Sequence, residues 1–145
     1  MRNIENIVLH CTLTFPTATV QGILRWWREE YGWNAPGYHY IYDVAGKETL
    51  LQPLHLTANG ARGFNHNSIH LAYIGGVKRS RRKNIETDTR SSEQMRAMWL
   101  RIRQLQELFP DANVLGHCDL PGVDKACPLF DVARFMRFYS PENTY

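Results

Sequence analysis

At 145 residues, with 43% apolar and 21% charged residues, the chain is long enough for one domain with a real core and too apolar to be disordered. Its net charge of +3 is too small to indicate nucleic acid and suits an anionic surface equally well. Three cysteines, an odd number, exclude a complete disulfide framework.

The first segment, Met1-Arg2-Asn3-Ile4-Glu5-Asn6, runs straight into apolar sequence with no signal core and no cleavage site, so synthesis in the cytoplasm is expected. No stretch reaches the ~20 apolar residues of a membrane span. Ile4 to His10 reads as a strand, nearly all apolar toward its end and therefore central. Thr17 or Thr19 can cap a helix in which Val20, Ile23, Leu24, Trp27 and Tyr31 form one apolar stripe, with Gly32 placed to end it.

Residues 38–44 and 48–51 alternate around Ala45-Gly46 and predict a hairpin. Residues 53–67 read as a long functional loop, and Ser68 to Ile74 as another strand, stopped by Gly75-Gly76. Residues 77–90 are polar and basic and read as a loop; they contain the run Lys78-Arg79-Ser80-Arg81-Arg82-Lys83. Ser91 or Ser92 starts a helix carrying Met95, Met98, Trp99, Ile102 and Phe109 on one face, and Pro110 ends it. Asn113 to Gly116 is a short strand that delivers His117, and Val132, Phe135, Met136 and Tyr139 mark a last helix. The pattern is a mixed α/β fold in one domain, 1–145: a central sheet flanked by about three helices.

Chemistry-bearing residues stand at the ends of these elements. His10 closes the first strand, His117 follows a late one, and Cys127 lies in Lys125-Ala126-Cys127-Pro128. Two imidazoles and a thiolate are good zinc ligands, and three protein ligands leave a fourth position open, as hydrolytic sites require. Taken singly, each histidine reads first as a hydrogen-bonded core or surface residue, and Cys127 as a small buried hydrophobe. Asp119 is a rival oxygen ligand; orienting His117 or capping the turn that follows are its other readings. Cys11 and Cys118 each follow a candidate ligand, as free thiols or as a pair under oxidising conditions.

Four blocks change the weighing: Val8-Leu9-His10-Cys11-Thr12, Gly37-Tyr38-His39-Tyr40, the stretch Gly63-Phe64-Asn65-His66-Asn67-Ser68-Ile69, and Lys125-Ala126-Cys127-Pro128-Leu129-Phe130-Asp131. In this order they resemble the N-acetylmuramoyl-L-alanine amidases, the phage lysozyme type that shares its fold with peptidoglycan recognition proteins. The resemblance spans residues 5–138. It implies one Zn2+ per chain on His10, His117 and Cys127, with Tyr38 and Lys125 as catalytic groups. The implied reaction is hydrolysis of the amide between N-acetylmuramic acid and L-alanine of peptidoglycan, in an endolysin-like protein that reaches the wall through other factors. A wall-degrading interbacterial toxin with the same chemistry and a non-catalytic recognition module are the alternatives. The recognition state is usually marked by loss of the cysteine ligand, which is present here.

The sequence departs from the phage pattern at Gly60, where that family often has a histidine; Asn59 or Arg62 are the candidates to substitute for it as substrate contacts. The spacing from His117 to Cys127 is also slightly longer, the extra residues lying around Leu120-Pro121-Gly122-Val123. Trp26, beside the first helix's apolar face, suits a groove wall, and Asn65 is a candidate for the rim. The basic run is a candidate grip for anionic polymer or for another protein. A monomer is expected, and no nucleic-acid motif is present.

Overall fold

The computed structural model describes residues 2–143; Met1, Thr144 and Tyr145 of the expected 1–145 domain lie outside the described residues. Alternation sets which residues each strand buries. Strand β1 (Asn6–Cys11) turns Ile7, Leu9 and Cys11 to one face and Val8 and His10 to the other, and all five are buried. Such two-sided burial belongs to the middle of a sheet. β1 lies between β4 (Ser68–Tyr73) and the later strand Asn113–Gly116, parallel to both. Beyond β4 come β2 (Tyr40–Tyr42), parallel to β4, and β3 (Glu48–Leu50), antiparallel at the edge. The expected mixed sheet is therefore present, with five strands.

Helix α1 (Val20–Tyr31) covers one face. Thr19 caps it by accepting from the Gly22 N–H at 3.0 Å, and Gly32 ends it in the left-handed region, φ 64°, which costs glycine nothing. Ile23 and Trp27 bury against Ile41 and Ile74. Tyr31, predicted as the last member of the stripe, is instead 52% exposed and lies against Trp26 and Trp33. The stripe is one turn shorter: it ends at Trp27, and Tyr31 lines the cleft with Trp26 and Trp33.

Helices α2 (Ser92–Leu108) and α3 (Val132–Phe138) cover the opposite face. Met98, Ile102 and Leu105 pack from α2 on Ile7, Leu9, Ile69 and Leu71, each fully buried side chain contributing about 1.5–3 kcal/mol. Ser91 and Gln94 form a reciprocal capping box. Gln94 is buried and also donates to the carbonyls of Tyr42 and Ile74, at 3.1 and 3.0 Å, pinning α2 to two strand ends.

Residues 77–90 depart from the expected loop. Strands β5 (Val77–Ser80) and β6 (Lys83–Glu86) pair antiparallel as a hairpin outside the main sheet. Its two turn residues, Arg81 and Arg82, both have positive φ, 48° and 68°, which is the type I′ geometry that matches strand twist. The sequence lacks the Asn-Gly signal that usually announces this turn. The last strand of the main sheet is then β7 (Asn113–Gly116).

Candidate active site

Two parallel strands deliver two histidines to one end of the sheet. Leu9 of β1 is in register with Gly116 of β7, so the next residue on each, His10 and His117, emerges at the same level, with ring centroids 4.8 Å apart. Cys127 arrives from the loop that follows. That loop is tied down where the Cys118 N–H donates to the Cys127 carbonyl at 2.9 Å and the Tyr73 hydroxyl to the Pro128 carbonyl at 2.8 Å. One ligand atom from each of His10, His117 and Cys127 lies within 4.8 Å of the others, and all three residues are buried. Asp119 is not in this group; its carboxylate accepts from the Gly116 N–H at 2.8 Å and caps the turn carrying His117.

The electrostatics suit a cation. Burial holds His10 well below the usual histidine range, with His70, His117 and Lys125 adding to the effect. Burial and then Lys125 lower His117 as well. Neutral imidazoles keep a lone pair for a metal. The Cys127 thiol is pushed up by hydrogen bonding with Cys11 and by burial, so a bound ion displaces its proton. Two neutral imidazoles and a thiol on a closed floor fit a tetrahedral ion such as zinc by donor type and number.

Cys11, Cys118 and Cys127 are free thiols. The envisaged pairing of Cys11 with Cys118 is not formed. Cys11 belongs with Cys127, whose Sγ accepts from the Cys11 N–H at 3.3 Å, while the Cys118 thiol faces Asp119 at 3.7 Å.

The three ligand candidates line a cleft of about 360 Å³ together with Tyr38, Lys125, Trp26, Asn59 and Arg62. The Tyr38 ring lies 5.0 Å from the His10 ring and packs edge-on to Trp27, and its hydroxyl reaches the Cys11 carbonyl at 3.4 Å. Burial and then the Cys127 and Cys11 thiols raise its pKa well above the usual phenol, so it remains an O–H donor at neutral pH. Lys125 is exposed at the mouth and has no ion pair among the described residues. Trp26 is 46% exposed and stacks edge-on to Tyr31, extending an aromatic wall away from Tyr38. Arg62 is exposed; Asn59 ties the cleft loop to the Ala35 carbonyl at 3.0 Å. Asn65, expected at the rim, is not among the cleft-lining residues and turns inward to His70.

His70 is the residue that sequence reasoning passed over. Fully buried on β4, it lies 2.8 Å from His10 Nε2 through its own Nδ1. The available signal was Gly60: a Cβ there would stand 2.5 Å from the His70 ring, so the loop departure and this histidine are one feature.

Residues 1–129 match the family described as N-acetylmuramoyl-L-alanine amidase. The chain is 31% identical over 138 residues to the endolysin of Enterobacteria phage T3, covering 90% of this chain and 84% of that one. It is 28% identical over 133 residues to the endolysin of Escherichia phage T7, with the same coverage. Among solved structures, the Ph2119 endolysin from a Thermus scotoductus bacteriophage superposes with a TM-score of 0.80 at 20% identity, over 94% of this chain and 85% of that one. The bumblebee peptidoglycan recognition protein SA shares the fold with a TM-score of 0.74 at 16% identity, over 94% and 85%. With that match running through the segments that carry His10, Tyr38, His117 and Cys127, the chain belongs to the N-acetylmuramoyl-L-alanine amidase family.

Proposed function

We propose that this endolysin-like amidase cleaves the amide between N-acetylmuramic acid and L-alanine of peptidoglycan with one zinc ion held by His10, His117 and Cys127. The observation carrying this reading is the convergence of those three donors within 4.8 Å on the floor of the cleft that Tyr38 and Lys125 line. Bound zinc supplies Lewis-acid polarisation and acidifies water near neutral pH.

The chain's own residues do the rest. Water adds to the lactyl carbonyl carbon and the bond to the alanine nitrogen breaks, so negative charge develops on the carbonyl oxygen and a proton must reach the nitrogen. Tyr38, kept protonated, donates a hydrogen bond toward that oxygen, and the Lys125 ammonium opposes its charge. Both side chains also carry a proton that can pass to the leaving nitrogen. The aromatic wall from Tyr38 through Trp27, Trp33 and Tyr31 to Trp26 offers flat surface for the glycan or stem peptide, with Asn59 and Arg62 on the facing loop.

Digestion of purified sacculi followed by mass analysis tests the reading. Ends with a free L-alanine amino group should appear, stop with a chelator and return with added zinc. Cys127→Ser should lose stoichiometric zinc. Intact lactyl–alanine bonds in the products, or digestion indifferent to chelation, would refute it.

The chain acts in this reading as a single domain and a monomer, reaching the wall through other factors; among the described residues no helix is long and apolar enough to cross a membrane. The exposed cations Lys78, Arg79, Arg81, Arg82 and Lys83 cluster on the β5–β6 hairpin and give the wall's anionic polymer a second, salt-sensitive contact.

A further inference from the structure

Between His10 and the loop before β4, every proton has one position available. The Ala61 N–H donates to Asn65 Oδ1 at 2.8 Å. A backbone N–H can only donate, so the Asn65 atom facing it is the carbonyl oxygen. The same oxygen lies 2.9 Å from His70 Nε2, which therefore carries a hydrogen. His70 is 0% exposed and its ring lies against the His10 and His39 rings, where an imidazolium would be a buried charge without a counter-charge, so the ring is neutral and its lone pair is on Nδ1. That Nδ1 is 2.8 Å from His10 Nε2, so His10 Nε2 holds the hydrogen and donates it. The remaining lone pair of His10 is on Nδ1, the atom 3.8 Å from Cys127 Sγ.

Gly60 makes room for this arrangement. A Cβ at that position would stand 2.5 Å from both Cγ and Nδ1 of His70, so any side chain there pushes on the ring edge that accepts from His10.

We propose that His70 is a positioning residue for the metal centre: by accepting the Nε2 proton of His10 it leaves His10 Nδ1 free to bind the ion, with Asn65 and Gly60 fixing the His70 ring. This rests on the proposed zinc reading of the site and adds a partner to it. Hydrogen-bonded partners of metal-binding histidines lock the tautomer and ring angle, and their loss typically costs about 10–100-fold in metal affinity.

The test uses the full-length protein, zinc alone as ligand, and two readouts other than turnover. Long-range 1H–15N spectra of the zinc-loaded wild type should show His10 protonated at Nε2, with an N–H···N coupling to His70 Nδ1. Zinc affinity, measured by chelator competition, should fall about 10–100-fold in His70→Leu, which keeps apolar bulk but cannot accept. His70→Asn puts an oxygen near the former Nδ1 and should recover affinity to within about threefold of wild type. Gly60→Ala, which leaves His70 in place but displaces its ring, should bind zinc about tenfold more weakly. A His10 ring protonated at Nδ1 in the wild type overturns the inference whether or not any variant folds. So does a folded His70→Leu that holds zinc like wild type, or a folded His70→Asn no better than His70→Leu. A wild-type chain that takes up no zinc overturns the metal reading itself, and this inference with it.

Discussion

Acid should loosen this protein around His39 as the pH falls from 6.5 to about 4. His39 is fully buried; its Nδ1 accepts from the His70 N–H at 3.0 Å and its Nε2 donates to the Leu56 carbonyl at 2.8 Å. The Nδ1 bond requires the neutral ring, whereas the Nε2 bond survives protonation; burial, opposed by the Leu56 hydrogen bond and aided by Arg2, lowers the pKa from 6.5 to about 4. Below pH 6.5 the unfolded chain takes up a proton that the folded chain refuses. Stability therefore falls as pH drops from 6.5 to about 4, and this residue adds no further loss below that. At about 1.4 kcal/mol per pH unit per proton, the window is worth at most about 3 kcal/mol, a large share of the ~5–15 kcal/mol typical of a domain. His10, His70 and His117 are lowered too, so the wild-type slope exceeds one proton, and a comparison must isolate His39.

His39→Gln supplies it. The amide can still donate toward Leu56, and it does not titrate. Urea unfolding of both proteins with chelator present, at several pH values from about 7 to about 3, should give a wild-type slope steeper by about 1.4 kcal/mol per pH unit inside the window. The variant's lower stability at pH 7 does not affect that difference. Equal slopes would refute the role assigned to His39, as would a difference that persists below pH 4.

Lys125→Ala and Tyr38→Phe should each retain zinc and fold while losing about 10²–10³ in turnover, because each removes a stabiliser of the developing oxyanion; near-normal turnover in both would return them to structural roles. Gln94→Leu should destabilise the fold by about 3 kcal/mol in urea or thermal unfolding, since it strands the Tyr42 and Ile74 carbonyls and the capping box together. Replacing the five cations of the β5–β6 hairpin with serine should weaken binding to intact walls and remove its salt dependence, yet leave cleavage of a small soluble muropeptide unchanged. Equal loss on both substrates would mean that the hairpin supports the active site.

What the sequence made legible were features written within a few residues of one another. The caps could be narrowed to Thr17 or Thr19 and to Ser91 or Ser92 because a cap is a local hydrogen bond, and the structure uses Thr19 and Ser91; Val20, Ile23, Leu24 and Trp27 were legible because a helix repeats over short distances. The strand β1 was legible from its apolar run, and its end pointed at His10. The hairpin at residues 77–86 was missed for a local reason: its turn is Arg81-Arg82, and arginine pairs rarely take the left-handed conformation that both adopt here. Its outer strand is also exposed throughout, so no apolar alternation marks it.

The site separates the two kinds of information further. His10, Tyr38, His117, Lys125 and Cys127 carry motifs, so a reader of the sequence finds them without knowing how they meet. His70 carries none. It is one residue in Ser68-Ile69-His70-Leu71, and its meaning depends on register: β1 and β4 are parallel with Val8 opposite His70, which sets the His70 ring diagonally beside His10 on one face of the sheet. Pairing of segments sixty residues apart leaves no local trace. A glycine where a side chain is expected can leave one, since the atoms that fill the space must come from elsewhere in the chain. At Gly60 they come from His70, and the same contact that forbids a Cβ there holds the ring against His10.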